Sequence, residues 1–207
     1  MADTPGLDVI NLALSHLGQT AITQTQLNDN STVGTEAALR VWELALRETL
    51  RSSNWSFAKV KVALTLVEST TYDPANYTYA YEYPTNCVAI RKVNVQTSID
   101  EAISEEYEIE YDTTNEAKRI VTDVEDAYIE YTYYISDTDL WDSAFIVSFS
   151  YYLAALLAKP LNGDDAQAKD MIALFTNSIS NTKRYNDNSK KETHDANESS
   201  AFVDARG

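Results

Sequence analysis

The apolar positions of this chain repeat with a helical period at both ends and with a period of two in the middle. Val9, Leu12, Ala13 and Leu17 share one face, with Ile10 and Leu14 beside them, which predicts a first helix from near Pro5. Asp3 or Thr4 is placed to cap it, Pro5 suits a first turn, and Gly18 suits a left-handed ending. A polar stretch from Gln19 to Ser31 reads as a loop, with Ile22 and Leu27 as anchors into a core. A second helix is predicted from Ser31 or Thr32 to about Ser52. Its stripe is Ala38, Val41, Trp42, Ala45 and Thr49, widened by Leu39, Leu46 and Leu50, with Arg40, Glu43, Arg47 and Glu48 outside. Glu43 and Arg47 have the spacing of an i,i+4 ion pair.

From Ala58 the period changes. Val60, Val62, Leu64 and Leu66 point one way, and Lys59, Lys61 and Thr65 the other, which predicts one strand. Further strands are predicted over 77–83, 88–95, 107–111, 119–122 and 127–135, with turns at 112–115 and 123–126. In the 107–111 strand, Tyr107, Ile109 and Tyr111 form the expected inner face, and Glu106, Glu108 and Glu110 the solvated one. In the last strand, Ile129, Tyr131, Tyr133 and Ile135 alternate with Tyr128, Glu130 and Thr132.

A third helix is expected from Asp137–Asp139 to Lys159. Its apolar run 144–158 is short of the roughly 20 residues a membrane span needs and is interrupted by serines and tyrosines, so it reads as a buried core helix. After a turn at Leu161-Asn162-Gly163, a fourth helix starts at Asp164 or Asp165, with Met171, Leu174, Phe175, Ser178, Ile179 and Thr182 inward. Beyond Tyr185, residues 186–200 hold no apolar side chain larger than alanine and cannot bury enough surface to fold alone. The pattern therefore predicts an α+β fold. A bundle of about four helices is interrupted by an antiparallel β meander or small sandwich and followed by an extended tail. The expected divisions are 1–56, 57–136, 137–185 and 186–207.

Composition narrows the function. The 207 residues suffice for one core plus a small satellite, and the formal net charge of −16 offers no basic footprint for tight nucleic-acid binding. The acidity fits either an ordinary soluble protein or a surface that DNA slides past without sticking. The 14 tyrosines, against 5 phenylalanines, suit half-buried strands and interfaces alike. Cys87 is the single cysteine, so no intramolecular disulfide forms, and its apolar neighbours predict a buried structural thiol made in a reducing cytoplasm. The N-terminus lacks the charge and apolar run of a signal peptide.

Candidate chemistry is thin. His16 sits beside a helical apolar stripe and reads as structural; His194 lies in the polar tail, and no zinc-type spacing occurs. Asp137, Asp139 and Asp142 lack the glycine and closing glutamate of a calcium loop and read as helix caps. Glu105, Glu106, Glu108 and Glu110 contain enough carboxylates for a glycosidase pair, but their alternation reads as a wet strand face. Neither a Walker motif nor a dinucleotide fingerprint is present. The expectation is a protein that is not an enzyme, with no catalytic residues, cofactor or metal.

A positive signal lies in element order. The first helix ends in Leu17-Gly18, a long helix runs from Ala37 to Leu50, and a turn leads into Asn54-Trp55-Ser56-Phe57-Ala58. A later strand entry reads Tyr81-Glu82-Tyr83-Pro84-Thr85-Asn86-Cys87. This order resembles the head-to-tail adaptors of short-tailed phages, the tail tubular protein A type. The resemblance implies a structural virion protein of the tail or neck. It would form a twelve-subunit ring between the portal protein and the tail nozzle (tail tubular B-like) protein, with DNA passing through unspecifically and no membrane. Phe202, Val203 and Arg206 would form a portal-docking arm. Trp42, Trp55 and Phe57 would pack the helix–strand junction, and exposed tyrosines such as Tyr72, Tyr77 and Tyr79 would face neighbouring subunits. Two other readings stand beside it: another neck or head-completion protein of a long-tailed phage, and an acidic cell-wall hydrolase.

Overall fold

The computed structural model describes residues 6–68, 77–95, 104–113 and 115–198, apart from the side chains of 68, 95 and 184–198. The expected caps Asp3 and Thr4, Tyr72, and the arm residues Phe202, Val203 and Arg206 lie outside the described residues. The fold is α+β, and the chain divides into a discontinuous helical unit, Met1–Ser53 with Ser136–Gly207, and a β-rich unit, Asn54–Ile135.

In the helical unit, α1 (Leu7–His16) buries Val9, Ile10, Ala13 and Leu14. It closes as expected. Gly18 has φ +69°, and the amides of Gly18 and Gln19 return to the carbonyls of Ser15 and Leu14 at 3.0 Å each, the paired bonds of a Schellman ending. The expected loop 19–31 contains a short helix, α2 (Gln24–Asn28), started by a capping box between Thr23 and Gln26. Its Leu27 and the preceding Ile22 are buried, as the anchors were expected to be. The long helix α3 (Val33–Ser52) starts at Thr32, whose side chain and that of Thr35 bond each other's backbone amides. Its buried stripe includes Ala38, Trp42, Ala45, Leu46, Thr49 and Leu50. The Arg47–Glu43 pair forms at 2.6 Å on the exposed side.

The third expected helix is two elements. Asp137 caps a 3₁₀ turn, Thr138–Leu140, and Asp142 caps α4 (Ser143–Asn162) through the Phe145 amide at 2.6 Å. Asp137 and Asp142 are thus caps, as expected, whereas Asp139 lies within the 3₁₀ turn that Asp137 caps. Pro160 sits in the last turn of α4, and Gly163 ends the helix at φ +66°. α4 is the one described helix long and apolar enough to cross a membrane, and half of its apolar window is buried against neighbours. It packs on α1, α3 and α5 (Asp165–Glu198).

α5 differs from expectation in two ways. Among its described side chains Ile179 is buried and Phe175 and Ser178 are half-buried, but Leu174 is 40% exposed. Its backbone also stays helical to Glu198, past the Tyr185 boundary. Residues 186–198 contain neither glycine nor proline, so nothing local stops a helix that packing has already nucleated.

The β-rich unit holds two antiparallel sheets. One has the order β1 (Lys59–Ala63), β7 (Ala127–Tyr133), β4 (Cys87–Val95). The other runs β2 (Leu66–Glu68), β3 (Tyr79–Glu82), β6 (Ala117–Thr122), β5 (Tyr107–Asp112). Tyr81, Val93, Ile120, Ala127, Ile129 and Tyr131, drawn from both sheets, share one core. The single strand expected from Ala58 is therefore three pieces: a 3₁₀ turn (Ser56–Ala58), then β1 and β2 in different sheets. The chain changes sheet at Leu64 and Thr65, where Leu64 N–H donates to Ala127 O and Glu82 N–H donates to Thr65 O.

One face assignment is corrected. Tyr107 does pack on the core, but Ile109 and Tyr111 are 49% and 60% exposed. Ile109 stands opposite core residue Ile120, yet β5 is an edge strand and the facing sheet does not cover it. In β7, Glu130 and Thr132, which alternate with Ile129 and Tyr131, are buried too: Asn54, Lys59 and Lys61 reach Glu130, and Arg91 Nε donates to Thr132 Oγ1. Cys87, expected to be buried, is half-buried beside the same core, and burial pushes its thiol pKa up.

Candidate interaction surfaces

The aromatic residues singled out from sequence fall into two groups. Trp42 belongs to the helical unit, where its ring lies 4.9 Å from Phe149, edge to face, and 6.1 Å from Trp141. Phe145 and Phe149 complete the cluster, stacked at 6.1 Å. Trp55 and Phe57 belong to the β-rich unit, their rings 6.4 Å apart across the 3₁₀ turn. Trp55 is buried and Phe57 half-buried. The Trp-x-Phe-Ala step therefore forms the entry to β1, and Trp42 forms part of the α3–α4 core.

His16 is tied into the helical unit. Its Nε2 lies 3.1 Å from Ser150 Oγ, its ring lies 4.7 Å from Tyr151, and burial holds its pKa below the ordinary histidine value. That is a neutral imidazole joining α1 to α4, with no nucleophile–base–acid array around it in the contacts described. Glu105, Glu106 and Glu108 are exposed along the edge strand, and Glu110 is half-buried. Among the described residues, no group of three or more His, Cys, Asp or Glu is placed to hold a metal ion.

Sequence reasoning missed two charged clusters, both built by strand register. Asp112 and Arg119 form a buried ion pair at the β5–β6 end, where Asn115 Nδ2 donates to Asp112 Oδ2 at 2.6 Å. This pair forms the floor of an open groove of about 400 Å³, lined also by Val67, Glu82, Tyr83 and Lys118. Lys118 Nζ sits 5.4 Å over the Tyr83 ring. Register explains the cluster: Arg119 stands opposite Glu82 on one side and Glu110 on the other. The second cluster centres on Glu130, which accepts from Asn54 Nδ2 at 2.8 Å and has Lys59 and Lys61 at 3.8 and 3.6 Å. Its only sequence signal was a glutamate inside a Tyr- and Ile-rich strand.

Among the described residues, the exposed apolar side chains of the β-rich unit gather on its strand edges. They are Val62 on β1, Leu66 and Val67 on β2, and Ile109 and Tyr111 on β5. In the helical unit, Val33, Leu44, Leu140, Val147, Ile172 and Leu174 are exposed at scattered positions. Tyr77 and Tyr79 are half-buried, and Tyr79 packs on the core. The arrangement offers recognition surfaces along strand edges. Compared with known proteins, the chain matches no family model and no curated protein sequence.

Proposed function

We propose that this chain is a structural virion protein: a ring-forming head-to-tail adaptor that links a portal to a tail nozzle and lines the DNA channel. The observation that carries this reading is the order of its parts. Two helical halves, Met1–Ser53 and Ser136–Gly207, bracket a β-rich insertion that starts at the Trp55-x-Phe57-Ala58 step. That is the order on which the resemblance to the tail tubular protein A type rests.

Three further features agree with it. The charge of −16 suits a channel wall that repels phosphates and lets DNA pass. Within the β-rich unit, the exposed large apolar residues among those described lie on edge strands, where a repeating subunit finds neighbours. The histidine and the acidic strand have structural surroundings in place of a reacting array. On this reading the ring has twelve copies, no cofactor and no turnover. Its contacts are the portal through 186–207 and the nozzle through the β-rich unit.

The test is co-sedimentation with portal rings from the same genome. The full chain should pellet with portals. A chain ending at Glu198 lacks Phe202, Val203 and Arg206 but keeps α5, and should lose most of that binding. Absence of co-sedimentation by the full chain would overturn the proposal.

A further inference from the structure

Asn162-Gly163 is the one Asn-Gly step in the sequence. That pair carries a chemistry of its own. The Gly163 amide nitrogen can attack Asn162 Cγ and close a five-membered succinimide, and glycine, lacking Cβ, leaves the approach open. The step forms an N–Cγ bond and breaks the Cγ–Nδ2 bond, and the Gly163 amide proton leaves with Nδ2 as ammonia. Water then opens the ring at either carbonyl and gives aspartate or isoaspartate at 162.

The fold places this pair where three helices of the helical unit meet. Asn162 is the last residue of α4, and Gly163 N–H donates to Lys159 O at 2.9 Å to close that helix. Asn162 Nδ2 donates to Leu17 O, just past the end of α1, at 3.1 Å. It also donates to Gln167 Oε1, in the first turn of α5, at 2.6 Å. Asn162 Oδ1 accepts from Gln19 Nε2. The attacking nitrogen is thus held by one hydrogen bond and the leaving group by two. These bonds must release before nitrogen and carbon can align for attack. Asn162 is itself exposed, so water for the hydrolysis reaches it.

We propose that Asn162 is a conditional deamidation site: the closed joint of α1, α4 and α5 protects it, and opening of the joint lets it react. The inference goes beyond the adaptor reading and does not depend on it. The product disables the joint. A carboxylate at 162 has no hydrogen to give Leu17 O or Gln167 Oε1. It also adds negative charge at the C-terminal end of α4, next to Asp164 and Asp165 in the chain, where the helix dipole disfavours it. Isoaspartate further lengthens the backbone by one carbon at the helix end. A joint that has opened and reacted therefore does not close as before.

The test incubates the full chain at mildly alkaline pH, folded in buffer and unfolded in guanidinium, and follows conversion at Asn162 by peptide mass spectrometry. The folded chain should convert at least about tenfold more slowly, because reaction is confined to the open population. Gln19→Ala/Gln167→Ala removes the partners of Asn162 on either side and leaves the Asn-Gly step intact. It should speed conversion of the folded chain several-fold and leave the unfolded rate unchanged, with circular dichroism confirming that the variant keeps its helices. Both aspartate and isoaspartate should appear at 162. Equal rates for the folded and unfolded parent overturn the protection, as does a folded double variant that converts like the parent. Aspartate without isoaspartate overturns the succinimide route.

Discussion

Replacing Phe149 by alanine tests whether the aromatic cluster holds the helical unit together. Phe149 is fully buried, with Trp42 and Trp141 meeting its ring at 4.9 and 5.2 Å and Phe145 stacked at 6.1 Å. Truncating a buried phenylalanine to alanine costs about 3–5 kcal/mol, the higher values where neighbours cannot collapse into the void. Here three of the neighbours are rings, each already held by another ring. They have little freedom to move inward, so the expected loss is about 4 kcal/mol. Against a native stability of about 5–15 kcal/mol, that removes a large share of what the helical unit has. The assay is urea unfolding followed by tryptophan fluorescence, because Trp42 and Trp141 border the void. Phe149→Leu retains most of the volume and should cost under about 1.5 kcal/mol. A loss below about 1.5 kcal/mol for the alanine variant, or equal losses for both, would refute the reasoning.

Further outcomes follow from single features. The folded chain holds the His16 pKa below its ordinary value, so the unfolded chain takes up the proton at higher pH. Stability should therefore fall as pH drops from neutral through the ordinary histidine range, and His16→Gln should flatten that part of a urea-midpoint series. Gly18→Ala should cost about 1–2 kcal/mol by thermal unfolding. Its φ of +69° strains an L residue, and the added Cβ meets open space, so a steric clash contributes nothing. Asp142→Ala removes the α4 cap and should cost about 1 kcal/mol by the same measurement, with Asp142→Asn or Asp142→Ser retaining most of it. Asp112→Ala leaves Arg119 buried without its carboxylate and should cost about 3–5 kcal/mol in chemical denaturation.

The helices were legible in the sequence because their signals are local. Thr32, Asp142 and Asp164 cap with their own side chains, and Gly18 and Gly163 end helices at positive φ. The capping box at Thr23 and Gln26 was equally local, but it opens only five residues of helix, too few for periodicity to register. The strands were found, but not the sheets. Val60, Val62, Leu64 and Leu66 keep an unbroken alternation while the chain passes from one sheet to the other, so period two carries no trace of the change. Face assignment failed where position within the sheet matters more than pattern. Tyr107, Ile109 and Tyr111 share a face, but an edge strand outruns its cover. The charged clusters were illegible for a related reason. Asp112 with Arg119, and Glu130 with Lys59, are set by cross-strand register, which depends on pairing partners distant in the chain.

Electron microscopy of the full chain mixed with portal rings from the same genome tests the central claim most directly. The account predicts a second ring, coaxial with the portal, with the mass of this chain repeated around a closed circle. Portals that remain bare at saturating chain would contradict it.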